Sequence, residues 1–192
     1  QDLIKKLGLK DEHELQSYFI RRIDKFVTSK GKKLLGWDEI LEGGLSPNAM
    51  VMSWRGTAGG VEAAKQNHDV VMSPNSYFYL DYYQADPKTE PIAIGGNLPL
   101  SMCYSFEPNL PELTAEEAKH VVGIQANVWT EYINNIAYAE YMTYPRALAL
   151  SEISWSTKES KNYPDFKKRL MGHLPSMDAL KINYSKAYLS QP

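Results

Sequence analysis

Three short segments set an aromatic side chain two residues before a carboxylate: Trp37-Asp38-Glu39, Tyr79-Leu80-Asp81 and Trp129-Thr130-Glu131. On extended backbone, residues i and i+2 share a face, so each segment would present a flat ring beside a hydrogen-bond acceptor. That pairing suits a sugar, because the ring stacks on C–H bonds while the carboxylate accepts from hydroxyls. A single copy means little, since a Trp near a Glu is more often a packed ring beside a solvated charge. Three copies in similar surroundings carry more weight.

Each segment follows a short apolar run that reads as a buried strand. Lys33-Leu34-Leu35-Gly36 leads to Trp37, Asp69-Val70-Val71-Met72 leads through Ser73-Pro74-Asn75 to Tyr79, and Val121-Val122-Gly123-Ile124 leads to Trp129. A fourth run, Ala49-Met50-Val51-Met52, ends at Ser53-Trp54-Arg55-Gly56. Three Trp and a Tyr thus leave the C-terminal ends of four strands, the side on which parallel α/β folds build their sites.

The intervening chain alternates accordingly. Residues 11–30 read as a helix with Leu15, Phe19, Ile23, Phe26 and Val27 facing inward and Gly31 ending it. Residues 60–66 suit a second helix, and Thr114 with Glu117 forms a capping-box pattern ahead of the last strand. Residues 82–113 hold Pro87, Pro91, Pro99, Pro108, Pro111 and Gly95-Gly96, which predicts a long ordered loop without a regular element. Residues 136–142 and 145–155 suit helices, as does a segment from about Pro164 that turns Phe166, Leu170 and Leu174 inward. Helix-to-strand links are tight and strand-to-helix links long, the asymmetry of a (β/α) barrel with its site on the βα loops. Closure takes eight strands and about 250 residues, so four strands predict a single-domain α/β parallel half-barrel spanning residues 1–192.

The remaining composition excludes more than it assigns. With 192 residues, 43% of them hydrophobic, and a net charge of -2, the chain can bury one core and lacks the basic field of a nucleic-acid binder. Lys167-Lys168-Arg169 reads as a solvated helix face. Cys103 is the sole cysteine, which rules out an intrachain disulfide and a Cys-rich metal site and leaves packing as its role. His13, His68, His120 and His173 lack metal-ligand spacing, so neither metal nor cofactor is expected. No apolar run is long enough for a membrane helix, and the start, Gln1-Asp2-Leu3, is neither an initiator Met nor a signal peptide, as expected of a processed or excised piece.

The strand-end segments, in this order, closely resemble the family 20 glycoside hydrolases, the retaining β-N-acetylhexosaminidases. The resemblance runs from Leu15 to about Trp155 through Gly36-Trp37-Asp38-Glu39, Ser53-Trp54-Arg55-Gly56, Tyr79-Leu80-Asp81, Gly123 to Glu131, and Tyr144-Pro145-Arg146 with Glu152 and Trp155. It implies strands five to eight of that family's TIM barrel. By this resemblance Trp37, Trp54 and Trp129 wall the pocket for a terminal N-acetylhexosamine, Tyr79 donates to the acetamido oxygen as the one catalytic residue present, and Asp81 and Glu131 hold ring hydroxyls. The substrate's own acetamido oxygen is then the nucleophile, an exception to the two-carboxylate scheme. Tyr144, Arg146, Glu152 and Trp155 are expected to hold the fold beneath the pocket, and Tyr77, Tyr82 and Tyr83 either to pack, the favoured reading, or to contact further sugar units.

One departure stands out. The family's adjacent Asp-Glu pair, which follows a His-x-Gly-Gly segment on the fourth strand, has no counterpart here. Asp11-Glu12 opens a helix, and Asp38-Glu39 belongs to the Trp37 segment with one acid expected in a supporting shell. The family's first-strand Arg is likewise absent, so no general acid is assigned. The resemblance implies an N-acetylhexosamine-containing glycan as partner and a secreted or periplasmic location. It also implies the upstream half of the barrel as partner, or self-association in its place. The alternative is a non-catalytic truncated half-barrel that only binds sugar weakly or self-associates.

Overall fold

The structure, a computed structural model, describes residues 1–190 and consists of two compact units. The first comprises residues 1–72 and 109–123; the second comprises residues 73–108 and the chain from Ile124 onward.

The first unit carries helices α1 (Asp2–Leu7), α2 (Glu12–Ser29) and α3 (Ala58–Lys65) with strands β1 (Leu35–Trp37), β2 (Met50–Ser53), β3 (Val70–Met72) and β4 (Val121–Ile124), whose last residue opens the second unit. The strands lie in the order β1-β2-β3-β4 in a parallel sheet, with Gly36 opposite Val51 and Met52 opposite Val71. Val51, Val70 and Met72 are fully buried, as expected of central parallel strands, whereas Leu35 and Val122 on the outer strands are exposed. The parallel α/β reading of the sequence therefore holds. The first strand begins at Leu35, later than the sequence suggests, and so includes Trp37 itself. Helix α3 packs close to β3: a Cβ on Gly60 would meet Met72 Sδ at 2.5 Å.

Helix α2 reverses the expected orientation. Asp11 caps it by accepting from Glu14 N at 3.0 Å, and Gly31 follows it at φ 68, both as the sequence indicates. Yet Phe19 and Phe26 are 59% and 61% exposed, while the buried positions are Ser17 and Asp24. The cause lies in the segment after β1, whose carbonyls need donors. Gln16 Nε2 donates to Glu39 O at 2.7 Å, and Ser17 Oγ reaches Glu42 O and Gly44 O at 3.0 and 3.2 Å. Ser46 Oγ donates to Asp24. The polar stripe of α2 therefore does the docking. The Thr114–Glu117 capping box forms in both directions and starts a single 3-10 turn, Glu117–His120.

The second unit is built from helices α4 (Asn75–Phe78), α5 (Leu100–Ser105), α6 (Ile136–Thr143), α7 (Arg146–Trp155) and α8 (Tyr163–Ala179). Its core joins Phe78, Leu98, Cys103, Phe106, Met142, Ile153 and Phe166, with Tyr104 stacked on Phe166 at 4.8 Å. Helix α5 corrects the expectation of an element-free loop. Pro99 precedes it at φ -68, already set for a helix start, and Leu100, Cys103 and Tyr104 turn inward. Six residues are too few to show helical periodicity amid prolines. In α8, Asn162 caps by accepting from Asp165 N at 3.1 Å, and Phe166 and Leu170 are buried as expected, whereas Leu174 is half-buried and Met177 is the next fully buried side chain. Among the described residues no helix is long and apolar enough to cross a membrane.

Candidate functional site

In the first unit, the chain leaves β1 at Trp37 and turns directly into a 3-10 helix, Asp38–Leu41, so the extended geometry expected of Trp37-Asp38-Glu39 is broken. The turn aims both acids at the segment that follows β2. Asp38, buried at 2% exposure, accepts from the backbone N–H groups of Trp54 and Arg55 at 2.9 and 3.1 Å and from Arg55 Nε at 2.5 Å. Glu39 places both carboxylate oxygens 3.0 Å from the indole Nε1 of Trp54. Arg55 also reaches Glu42 at 2.9 Å. These contacts hold Arg55 firmly in its charged form, Glu42 contributing first and Asp38 second, and pull the Glu42 carboxyl below the usual range. Ser53 closes the turn by donating to Gly56 O at 2.8 Å and accepting from Gly60 N at 2.9 Å, and Gly56 sits at φ 114, where a side chain would be strained. Both acids of the Asp38-Glu39 pair are thus engaged by Trp54 and Arg55, and the supporting role expected for one of them extends to both.

In the second unit, Tyr79 and Asn127 pair in an isolated parallel bridge: Leu80 N donates to Asn127 O and Asn127 N to Phe78 O, both at 2.8 Å. The Asn127 side chain continues the network, donating to Ser73 Oγ at 2.7 Å and accepting from Gln125 Nε2 at 2.8 Å. This bridge brings together residues from two of the sequence segments. The rings of Tyr79 and Trp129 lie 6.2 Å apart at 54°, and Tyr82 tilts against Tyr79 at 5.9 Å. Tyr79 is buried, whereas Trp129 is 40% exposed. The chain bends at Glu131, which is exposed, so Trp129 and Glu131 do not share the face of a continuing strand. Asp81 is 5% exposed, and its Oδ1 has no hydrogen-bond partner among the described residues. Burial first, then the nearby Glu131 charge, pushes the Asp81 carboxyl above its usual range.

Arg146, the first residue of α7, is fully buried and donates to four backbone carbonyls: Leu80 O and Met142 O at 2.6 Å, Leu98 O at 3.0 Å and Tyr82 O at 3.1 Å. Leu80 and Tyr82 flank Asp81, so the guanidinium fixes the backbone that carries the acid. Burial draws its pKa down to about 10, which leaves it charged at neutral pH. The fold-holding role expected for Arg146 matches this placement, as does that of Glu152, which accepts from Tyr104 Oη at 2.8 Å and from two nitrogens of Arg169. Trp155 departs from expectation: at the end of α7 it is 92% exposed, and its ring packs on no core. Tyr77 packs against Phe106 at 5.2 Å, as expected of an aromatic core residue. Burial pushes the Cys103 thiol up to about 12, in keeping with a packing role. Sequence reasoning missed Asn127; its place two residues before Trp129, beside a buried strand, was the available signal. Among the described residues no three His, Cys, Asp or Glu side chains gather to hold a metal ion.

The candidate side chains follow the C-terminal ends of parallel strands, the side on which α/β catalytic domains build their sites. The profile of the Glycosyl hydrolase family 20 catalytic domain matches residues 1–158, and the chain belongs to that family. A Beta-hexosaminidase of Porphyromonas gingivalis is 50% identical over 186 residues, covering 96% of this chain and 24% of that protein. A Beta-N-acetylhexosaminidase of Cellulomonas fimi is 31% identical across 87% of this chain and 34% of its own length. Among solved structures, the GH20 Exo beta-N-Acetylglucosaminidase of Vibrio harveyi in complex with N-acetylglucosamine superposes with a TM-score of 0.87 at 35% identity, covering 98% of this chain and 30% of that one. The chain thus spans about a quarter to a third of the length of these relatives.

Proposed function

We propose that the complete protein hydrolyses terminal non-reducing N-acetyl-D-hexosamine residues from β-N-acetylhexosaminides with retention, the substrate's acetamido oxygen serving as nucleophile. In this reading the 192 residues are the C-terminal half of one barrel domain. They supply Trp37, Trp54 and Trp129 as apolar walls, Tyr79 as donor to the acetamido oxygen, and Asp81 and Glu131 as acceptors for ring hydroxyls. The observation that carries it is the Tyr79–Trp129–Asp81 cluster: a tyrosine and an indole in contact beside a buried carboxylate whose Oδ1 lacks a partner. A buried acceptor of this kind favours a hydroxyl ligand, since leaving it unpaired costs ~1–3 kcal/mol.

General-acid work lies outside this chain. Asp38 and Glu39 are spent on Trp54 and Arg55, and no Asp-Glu pair in the sequence follows a His-x-Gly-Gly segment. The upstream half of the same barrel is the partner this reading requires, with self-association of the exposed outer strands as its substitute. The test is steady-state kinetics of the complete enzyme on a chromogenic N-acetyl-β-glucosaminide. Tyr79→Phe, which removes one donor to developing charge, is expected to lower kcat by roughly 10²-fold or more. Trp129→Ala is expected to raise KM as well. Unchanged kcat and KM in both variants would refute the assignment.

A further inference from the structure

The geometry points to Glu39 as a positioning residue for the hydrolytic reaction, acting through the indole of Trp54. This inference rests on the reading of Trp54 as a wall of the sugar pocket. An indole has one polar atom, and rotation about its two side-chain torsions would otherwise leave several orientations open. Here Nε1 lies 3.0 Å from both oxygens of Glu39, a hydrogen bond to an acceptor whose position selects one of them. The backbone of Trp54 is fixed separately by Asp38, which accepts its N–H at 2.9 Å. Glu39 therefore sets the ring while Asp38 sets the chain.

Glu39 is itself well anchored. It lies in the 3-10 turn Asp38–Leu41, and its carbonyl accepts from Gln16 Nε2 of α2 at 2.7 Å, so the carboxylate starts from a held backbone. The consequence for a reaction that needs one small amide aligned against an anomeric carbon is direct. A flat wall turned out of place costs rate even when the sugar still binds, because near-attack geometry is lost.

The prediction separates acceptor position from charge. Glu39→Gln retains an amide oxygen at the same reach, and kcat is expected to stay within about three-fold of the parent. Glu39→Asp keeps the charge but withdraws the acceptor by about 1.5 Å, one C–C bond, and kcat is expected to fall about ten-fold, as for Glu39→Ala. A role in charge alone gives the opposite order, with Asp active and Gln impaired. A double-mutant cycle closes the argument. Trp54→Phe keeps a ring without an N–H, so adding Glu39→Ala to it is expected to cost nothing more, whereas independent roles multiply.

The experiment is kcat and KM of the complete enzyme and these variants on a chromogenic N-acetyl-β-glucosaminide, with a thermal midpoint for each. Should Glu39→Ala fail to fold, the Gln and Asp variants carry the comparison. Gln active, Asp impaired and a non-additive cycle would support the inference. Asp active with Gln impaired, or multiplicative losses in the cycle, would overturn it while leaving the pocket reading standing. Full activity in both Trp54→Phe and Trp54→Ala would instead overturn the pocket reading itself.

Discussion

The two units fasten their aromatic side chains in different ways. Around Trp54 the fasteners are carboxylates: Asp38, Glu39 and Glu42 grip an indole, two backbone N–H groups and a guanidinium. Around Tyr79 they are backbone groups: the bridge to Asn127 and the four carbonyls gathered by Arg146. The contrast explains why the same aromatic-and-acid spacing has two meanings. The acids after Trp37 are engaged in holding structure, whereas Asp81 is buried with its Oδ1 unpartnered among the described residues.

The largest effect should come from Arg146→Leu. Four carbonyls, three of them buried, would lose a donor, each buried one at a cost of ~1–3 kcal/mol, a sum comparable to the whole stability of a typical domain. Urea unfolding should show loss of the cooperative transition or a steep drop in its midpoint; a shift of under ~1 kcal/mol would mean that backbone fastening does not carry the second unit. Asp38→Ala should cost less, about 2 kcal/mol, because Arg55 is half-exposed and recovers water while the two N–H groups do not. An equal loss in the two variants would erase the distinction between the units.

The smallest effect is a pH dependence. The Asp81 carboxyl titrates above the ordinary aspartate value of about 3.9 that it would have in the unfolded chain. In the interval between those two values the native state holds the proton longer, so stability falls as pH rises through it and is level above. Asp81→Asn removes that slope. Stability measured by chemical denaturation across mildly acid pH should therefore show the Asn variant gaining on the parent as pH increases, and the reverse trend would contradict the burial of a carboxylate with an open acceptor.

Much of this was legible in the sequence, for reasons specific to each element. Buried strands such as Val70–Met72 announce themselves because a parallel sheet needs apolar residues on both faces. The caps at Asp11 and Thr114 are local chemistry and need no knowledge of the rest of the chain. Helix α2 misled because hydrophobic periodicity identifies an apolar face without saying which face docks; Gln16 and Ser17 were claimed by the carbonyls after β1. Helix α5 was too short to show a period, and Trp155 carried its motif's promise into solvent. Apart from Met142, one turn from Arg146, the side-chain partners of Asp38, Glu39 and Arg146 are 15 to 66 residues distant in the chain, a separation that no local pattern encodes.

The central claim is that these 192 residues build the sugar pocket while the proton donor lies elsewhere in the protein. The most direct measurement is hydrolysis of a chromogenic N-acetyl-β-glucosaminide by this chain and by a longer one that includes the upstream half of the barrel. The account predicts turnover in the longer chain alone. Turnover by the 192-residue chain would contradict it and return Asp38, Glu39 and Asp81 to consideration as the acid.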